Sequence, residues 1–268
     1  MRDPRVTTAS QASIHPSAIV DPSAELDPGV TVGPWTLIGP NVQLGSGTTV
    51  GPSVLIEKNT RVGVDCSISK GAVLGTDPQD LKFEEEETTL EVGDRTVIRE
   101  FATLNRGTAA LGRTVVGSDC LLMAYTHVAH DCVLGDHVVL SNAVNMAGHV
   151  EIEDWVIVGG ITPIHQFVRI GRHAFVGGGS RISQDVPPFC RAAGSPAKLY
   201  GLNSVGLERR GFPADIRAGL KRAYKMLFQS SMNLSQGIAQ IREQMNPTGD
   251  LAYFLEFIQK SERGITTG

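Results

Sequence analysis

Residues 26–50 read LDPGVTVGPWTLIGPNVQLGSGTTV, and in this stretch Leu26, Val32, Ile38, Leu44 and Val50 stand six residues apart. The spacing extends outward in both directions. From Ile14 to Ile182, every sixth residue is aliphatic or Met at 26 of 29 positions, with breaks only at Asp80, Glu86 and Ala110. Four residues after each of these comes a small or β-branched residue, as at Ala18, Val30, Thr36, Val42 and Thr48, and later at Val138, Val144, Val150 and Val156. Each hexad therefore has two inward positions. A period of six suits neither a helix at 3.6 nor an uninterrupted strand at 2, but it suits a short strand and a turn, repeated. Glycine follows the aliphatic residue at Gly33, Gly39, Gly45, Gly51 and Gly63, where a tight corner is expected. Three such sides close a triangular coil of 18 residues, and successive coils then pair as parallel strands about 4.8 Å apart. The fold expected is an all-β solenoid, a parallel β-helix of hexapeptide repeats. It occupies residues 1–190, with loops bulging out near 76–91 and 107–115.

The hexads stop at Pro187-Pro188 and the period changes. Pro213 suits the first turn of a helix, and Ile216, Leu220, Ala223, Tyr224 and Leu227 then recur at three- and four-residue spacing. Helices are expected over 213–229, 234–245 and 250–262, so that residues 191–268 form a C-terminal α-helical domain. The first interruption, TDPQDLKFEEEETTLE at 76–91, is polar and acidic. A loop of this length inside a regular solenoid points to function.

Composition narrows the classes. The formal net charge is −4, but residues 1–188 hold 13 Lys+Arg against 22 Asp+Glu, and residues 189–268 hold 11 against 6. Arg191, Lys198, Arg209, Arg210, Arg217, Lys221, Arg222 and Lys225 make up most of the basic excess. A basic region on an acidic protein fits either an anionic partner or a solvated helix face. No stretch is apolar and long enough for a signal peptide or a membrane span, so a cytoplasmic protein without membrane insertion is expected; nucleic acid is not an expected partner. Cys66, Cys120 and Cys132 fall at the small inward position and Cys190 just beyond, a pattern of buried, reduced fillers and not of paired ligands.

Four of the seven histidines, His127, His130, His149 and His165, fall on one corner of successive coils when positions are taken modulo 18. The same arithmetic stacks His130, Gly148 and Gln166, and places Asp131 in line with His149. A neutral imidazole can take a proton from a hydroxyl near neutral pH, and a carboxylate beside it can orient it. A glycine one coil away leaves its N–H open to a developing oxyanion. His130, Asp131 and Gly148 are thus the minimum parts for acyl transfer to a hydroxyl. Three other readings stand beside this one: exposed corner histidines without a task, an Asp131 that merely pairs with His149, and a zinc site built from three histidines. Gly177-Gly178-Gly179 precedes no helix and is a weak phosphate loop.

The segments GTDPQDLKF at 75–83, HVAHDCVLG at 127–135, NMAGHV at 145–150, GGITPIHQF at 159–167, VGGGS at 176–180, ISQDVPPF at 182–189 and GLNSVGLERRGF at 201–212 resemble the acyl-[acyl-carrier-protein]:UDP-N-acetylglucosamine O-acyltransferase family. The resemblance implies a left-handed coil. It also implies a homotrimer that moves an (R)-3-hydroxyacyl group from acyl carrier protein to the 3-hydroxyl of UDP-N-acetylglucosamine, the first step of lipid A biosynthesis. His130 would then be the general base, Asp131 its partner and Gly148 N–H the oxyanion donor. Gln79, Asp80, Lys82, His127, His149, His165 and Gln166 would line the sugar and acyl site, and Asn203, Arg209 and Arg210 would serve the nucleotide, the phosphopantetheine or the carrier protein. Gly178, with Phe175 close by, would limit acyl-chain length. No metal and no cofactor are implied, the acyl donor being carried on the phosphopantetheine of acyl carrier protein. Val205 departs from the acidic residue that some members carry there. Two rivals remain: an N-acyltransferase later in the same pathway, which usually has a further N-terminal domain, and a non-catalytic scaffold, which leaves the histidine patch without a role.

Overall fold

The computed structural model describes residues 11–268. The chain divides into two compact units, residues 1–132 and 133–268.

In the first unit, two-residue strands recur every six residues, and each pairs in parallel with the strand 18 residues on: Thr31 with Thr49, Ile19 with Leu37, Glu25 with Gln43. The expected coil is therefore present. Pairing of Ser67 with Val97 and of Val97 with Leu121 lengthens the repeat by two hexads and then by one. The two interruptions, which lie between strands Val73–Thr76 and Thr89–Val92 and between Thr103–Asn105 and Arg113–Val116, thus leave the six-residue phase intact. Asp80, Glu86 and Ala110 break the hexad pattern because they lie in these loops and point at no core.

Both inward positions are buried as expected. Val32, Ile38, Leu44, Val50 and Ile56 form one row, and Val30, Thr36, Val42, Thr48, Val54 and Cys66 the other. The inward threonines are not polar mistakes. Thr36 Oγ1 donates to the Gly51 carbonyl at 2.8 Å and accepts from Val54 N–H at 3.3 Å, and Thr48 does the same with Gly63 and Cys66 at 2.8 and 3.0 Å. These hydroxyls join consecutive coils at the corners, where no strand ladder reaches, and so satisfy backbone groups that burial would otherwise make costly.

The corner glycines serve a purpose other than the one their spacing suggested. The left-handed residue of each corner is three places after the aliphatic one, as at Trp35, Asn41, Ser53 and Asp65 with φ between 53° and 56°. Gly45, one place after the aliphatic residue, is needed instead because a Cβ there would lie 2.6 Å from the Gly63 carbonyl carbon of the next coil.

The second unit continues the same grammar within itself. Val133 pairs with Glu151, Val139 with Ile157, Asn145 with Pro163 and Ile157 with Phe175. An antiparallel hairpin, Cys190–Ala193 with Lys198–Leu202, precedes the helices. These are α1 (Ser204–Arg209), α2 (Ala214–Phe228), α3 (Leu234–Met245) and α4 (Gly249–Gln259). Helices α2, α3 and α4 match the expected segments. Helix α1 was hidden by Gly206, which lowers local helix propensity, but the Asn203 side chain caps it by accepting from Gly206 N–H. Asn233 closes a capping box with Gln236 at the start of α3. All four cysteines are buried and none is in a disulfide, as inert fillers should be; burial alone raises the Cys190 thiol pKa far above its ordinary value.

Candidate active site

His130 and Asp131 sit where a coil turns, with Asp131 in the left-handed conformation at φ 58°. The corner presses Asp131 into the protein: its side chain is fully buried, and His130 Nδ1 lies 2.8 Å from its Oδ2. The second interruption wraps over the carboxylate. Thr108 N–H donates to Oδ1 at 3.0 Å, Leu111 N–H to Oδ1 at 3.3 Å and Thr108 Oγ1 to Oδ2 at 2.7 Å. So many converging donors suit an ionised carboxylate, which only accepts. Such a carboxylate draws the Nδ1 proton of His130 toward itself and puts the basic lone pair on Nε2. This is the geometry of an oriented general base.

His127 lies in the same unit, with Nδ1 2.7 Å from Thr103 Oγ1. Its pKa is lowered, first by burial and then by electrostatic repulsion from the His130 imidazole, which favours its neutral, hydrogen-bonding form. Gln79 and Lys82 are exposed on the first loop and Asp80 is half-buried, its Oδ1 accepting from Lys82 N–H at 3.0 Å and its carbonyl from Phe83 N–H at 3.0 Å. The loop is a tight turn presenting polar groups outward.

The remaining expected residues belong to the second unit. Gly148 is buried and its carbonyl accepts from Phe167 N–H at 3.3 Å. His149 shares the left-handed corner position of Asp131, at φ 60°, and stacks on Phe167 with centroids 4.5 Å apart. His165 Nδ1 is 3.0 Å from Arg263 Nη2, and Gln166 beside it is exposed. Gly178 is exposed and Phe175 half-buried.

Asn203, expected to meet substrate, already spends its amide internally. Its Nδ2 donates to the His173 carbonyl at 3.0 Å while Oδ1 caps α1 at 3.2 Å. Arg209 ends α1 in solvent. Arg210 lies over the Trp155 ring at 5.2 Å with its Nη1 buried and without a partner among the described residues. Burial lowers its pKa. Trp155 is one rung of an aromatic ladder, His137 at 3.9 Å, Trp155, then His173 at 6.3 Å and Phe189 at 5.9 Å beyond.

Within that ladder His173 is held neutral, its pKa down at about 4, by burial first and then by Arg210 and Arg172. An unfolded histidine takes up its proton near 6.5. Between those values the unfolded chain binds more protons, so stability falls as pH drops from about 6.5 toward about 4. His173→Phe keeps the stack, removes a buried nitrogen that has no partner among the described residues, and is expected to flatten this part of the curve. Melting temperature measured against pH for both proteins checks it; equal slopes would put the acid sensitivity elsewhere.

Sequence reasoning missed Thr108, Leu111 and Arg263. Thr108 and Leu111 lie in an interruption, where position modulo 18 no longer predicts neighbours, and Arg263 comes from the helical end, which has no hexad phase at all.

Residues 185–266 match the family model for UDP-N-acetylglucosamine O-acyltransferase domain 2, and residues 113–147 match that for the bacterial transferase hexapeptide. Among curated proteins, the acyl-[acyl-carrier-protein]–UDP-N-acetylglucosamine O-acyltransferase of Myxococcus xanthus is 46% identical over 73% of this chain and 76% of its own length. That of Burkholderia orbicola is 45% identical over 72% and 76%. Among solved structures, the UDP-N-acetylglucosamine acyltransferase of Bacteroides fragilis superposes with a TM-score of 0.92 at 39% identity, covering 94% of this chain and 98% of that one. These neighbours are left-handed β-helices, and the expected hand holds with them.

Proposed function

From the premise that this chain belongs to the acyl-[acyl-carrier-protein]:UDP-N-acetylglucosamine O-acyltransferase family, we propose the following reaction and division of labour. The enzyme transfers an (R)-3-hydroxyacyl group from the phosphopantetheine thioester of acyl carrier protein to the 3-hydroxyl of UDP-N-acetylglucosamine, the first step of lipid A biosynthesis. The observation that carries the chemistry is the buried, multiply anchored Asp131 bound to His130 Nδ1. His130 Nε2 removes the sugar hydroxyl proton as the oxygen attacks the thioester carbonyl. The thioester C–S bond then breaks, and the sulfur leaves with a proton returned by the imidazolium. Gly148 N–H stabilises the oxyanion between those steps. Gln79, Asp80, Lys82, His127, His149, His165 and Gln166 hold sugar and acyl chain, and Arg209 and Arg210 meet the anionic groups of nucleotide or phosphopantetheine. No metal or organic cofactor enters this scheme. Among the described residues no helix is long and apolar enough to cross a membrane; we place the enzyme in the cytoplasm, as a homotrimer.

Purified protein incubated with 3-hydroxyacyl carrier protein and UDP-N-acetylglucosamine is expected to give a nucleotide sugar heavier by one hydroxyacyl group on mass spectrometry. Thioester loss without that product would defeat the assignment.

The basic face of α2 gives the donor a place to dock. Lys221 and Lys225 are exposed and line one hollow with Arg191 and Tyr200, whereas Arg222 turns toward Gln244 of α3 at 3.3 Å. Acyl carrier proteins are acidic, so Lys221→Glu with Lys225→Glu is expected to raise KM for acyl carrier protein by about tenfold or more at low salt. The effect on the sugar nucleotide should be smaller, and the difference should shrink as salt rises. Equal effects on both substrates, at every ionic strength, would remove the docking face.

A further inference from the structure

We propose that the four consecutive residues Asn105, Arg106, Gly107 and Thr108 form a positioning bracket that sets the loop at 77–88 and the His130–Asp131 pair relative to each other. The proposal rests on the reading of that loop as the acceptor site and of His130 as base. The loop end of the bracket is built from Asn105 and Arg106. Asn105 Nδ2 donates to Thr76 Oγ1 at 2.8 Å and to the Asp77 carbonyl at 2.9 Å, and Arg106 N–H donates to the Thr76 carbonyl at 3.0 Å. The Arg106 side chain is among the largest fully buried ones in the described chain. Its guanidinium pairs with Asp77, donates to the Gly75 carbonyl at 3.1 Å and lies 5.3 Å from the Phe83 ring centroid. One buried cation thus grips both the entry of the loop and its tip.

The far limb is tied to the next residue of the bracket. Thr88 Oγ1 donates to the Gly107 carbonyl at 2.6 Å, and Gly107 N–H donates to the Thr89 carbonyl at 3.2 Å. Only glycine fits at 107, since a Cβ would stand 2.3 Å from Arg113 N. The last residue, Thr108, turns the other way and gives both its N–H and its hydroxyl to Asp131. A guanidinium presents five donors in one planar fork, whereas a lysine ammonium has three around a compact charge and cannot reproduce that spread. A buried charge is costly, and Arg106 Nε has no hydrogen-bond partner among the described residues, so retaining the charge here is explained by the geometry it enforces.

The two ends predict opposite kinetic signatures in the full-length enzyme. Arg106→Lys, and Asp77→Asn as a milder change on the exposed side, are expected to raise KM for UDP-N-acetylglucosamine by about tenfold or more with kcat nearly kept. Thr108→Val is expected to lower kcat by about tenfold to a hundredfold with KM nearly kept, and Thr108→Ser to restore it. Melting temperatures are recorded alongside. Variants that share one kinetic defect at both ends, or that lose stability with unchanged kinetics, overturn the bracket. An inactive His130→Ala enzyme without the split sinks the bracket alone, whereas an active one sinks the base and the bracket together.

Discussion

Replacement of His130 by Ala is expected to lower kcat by about 10²–10⁴-fold, the usual contribution of a general base. Among the described residues of the first unit, His127 is the nearest candidate to inherit the task, and it is ill suited. His127 has its Nδ1 engaged by Thr103, and its lowered pKa marks it as a poorer base. The fold should survive the change. Thr108 and Leu111 still hold the Asp131 carboxylate when the imidazole is gone, and the Val128 and Cys132 side chains that build the core on either side are untouched. Steady-state turnover with both substrates saturating, together with a melting curve, checks both halves of the expectation. Near-normal turnover would end the assignment of His130 as base.

Gly178→Met is expected to move acyl-chain preference toward shorter donors by about two orders of magnitude. Each methylene that can no longer be buried forfeits about 0.8 kcal/mol, roughly fourfold in specificity constant, and a Met side chain displaces three or four of them. The φ at 178 lies outside the left-handed region, and a Cβ there would stand 3.2 Å from the Gly160 carbonyl oxygen, so that carbonyl must move by a few tenths of an ångström to admit the side chain. Specificity constants for 3-hydroxyacyl carrier proteins of ten to sixteen carbons, measured for parent and variant, decide the matter. An unchanged profile would show that residue 178 does not bound the acyl site, and a parent already favouring ten carbons would make Phe175 the stop.

The coil was legible in the sequence because its rule is local: one aliphatic residue per hexad and one small residue four places later. Where the rule lapses, at Asp80, Glu86 and Ala110, the lapse itself marked the loops. The pairing of His130 with Asp131 was also legible, since neighbours in sequence at a corner stay neighbours in space. What could not be read was everything that depends on how a loop folds back. Thr108 meets Asp131 across 23 residues, Arg106 meets Gly75 across 31, and Arg263 meets His165 across 98; no period connects them. Asn203 shows the opposite limit. A motif gives it a place at the substrate, and its hydrogen bonds add a task that no motif shows, capping α1 and fastening it to the His173 carbonyl.

The aromatic ladder also makes the protein its own optical reporter. The chain has two tryptophans, one in each compact unit: Trp35, 69% exposed, and Trp155, 37% exposed, which stacks on His137 with Arg210 over its ring. An indole in water emits at longer wavelength than one screened from it, and a protonated imidazole in contact quenches it. The more exposed Trp35 should therefore emit at the longer wavelength, and Trp155 should dim as His173 takes up its proton near pH 4. Unfolding of the two halves of the chain can be followed separately, with no added dye, in a single spectrum.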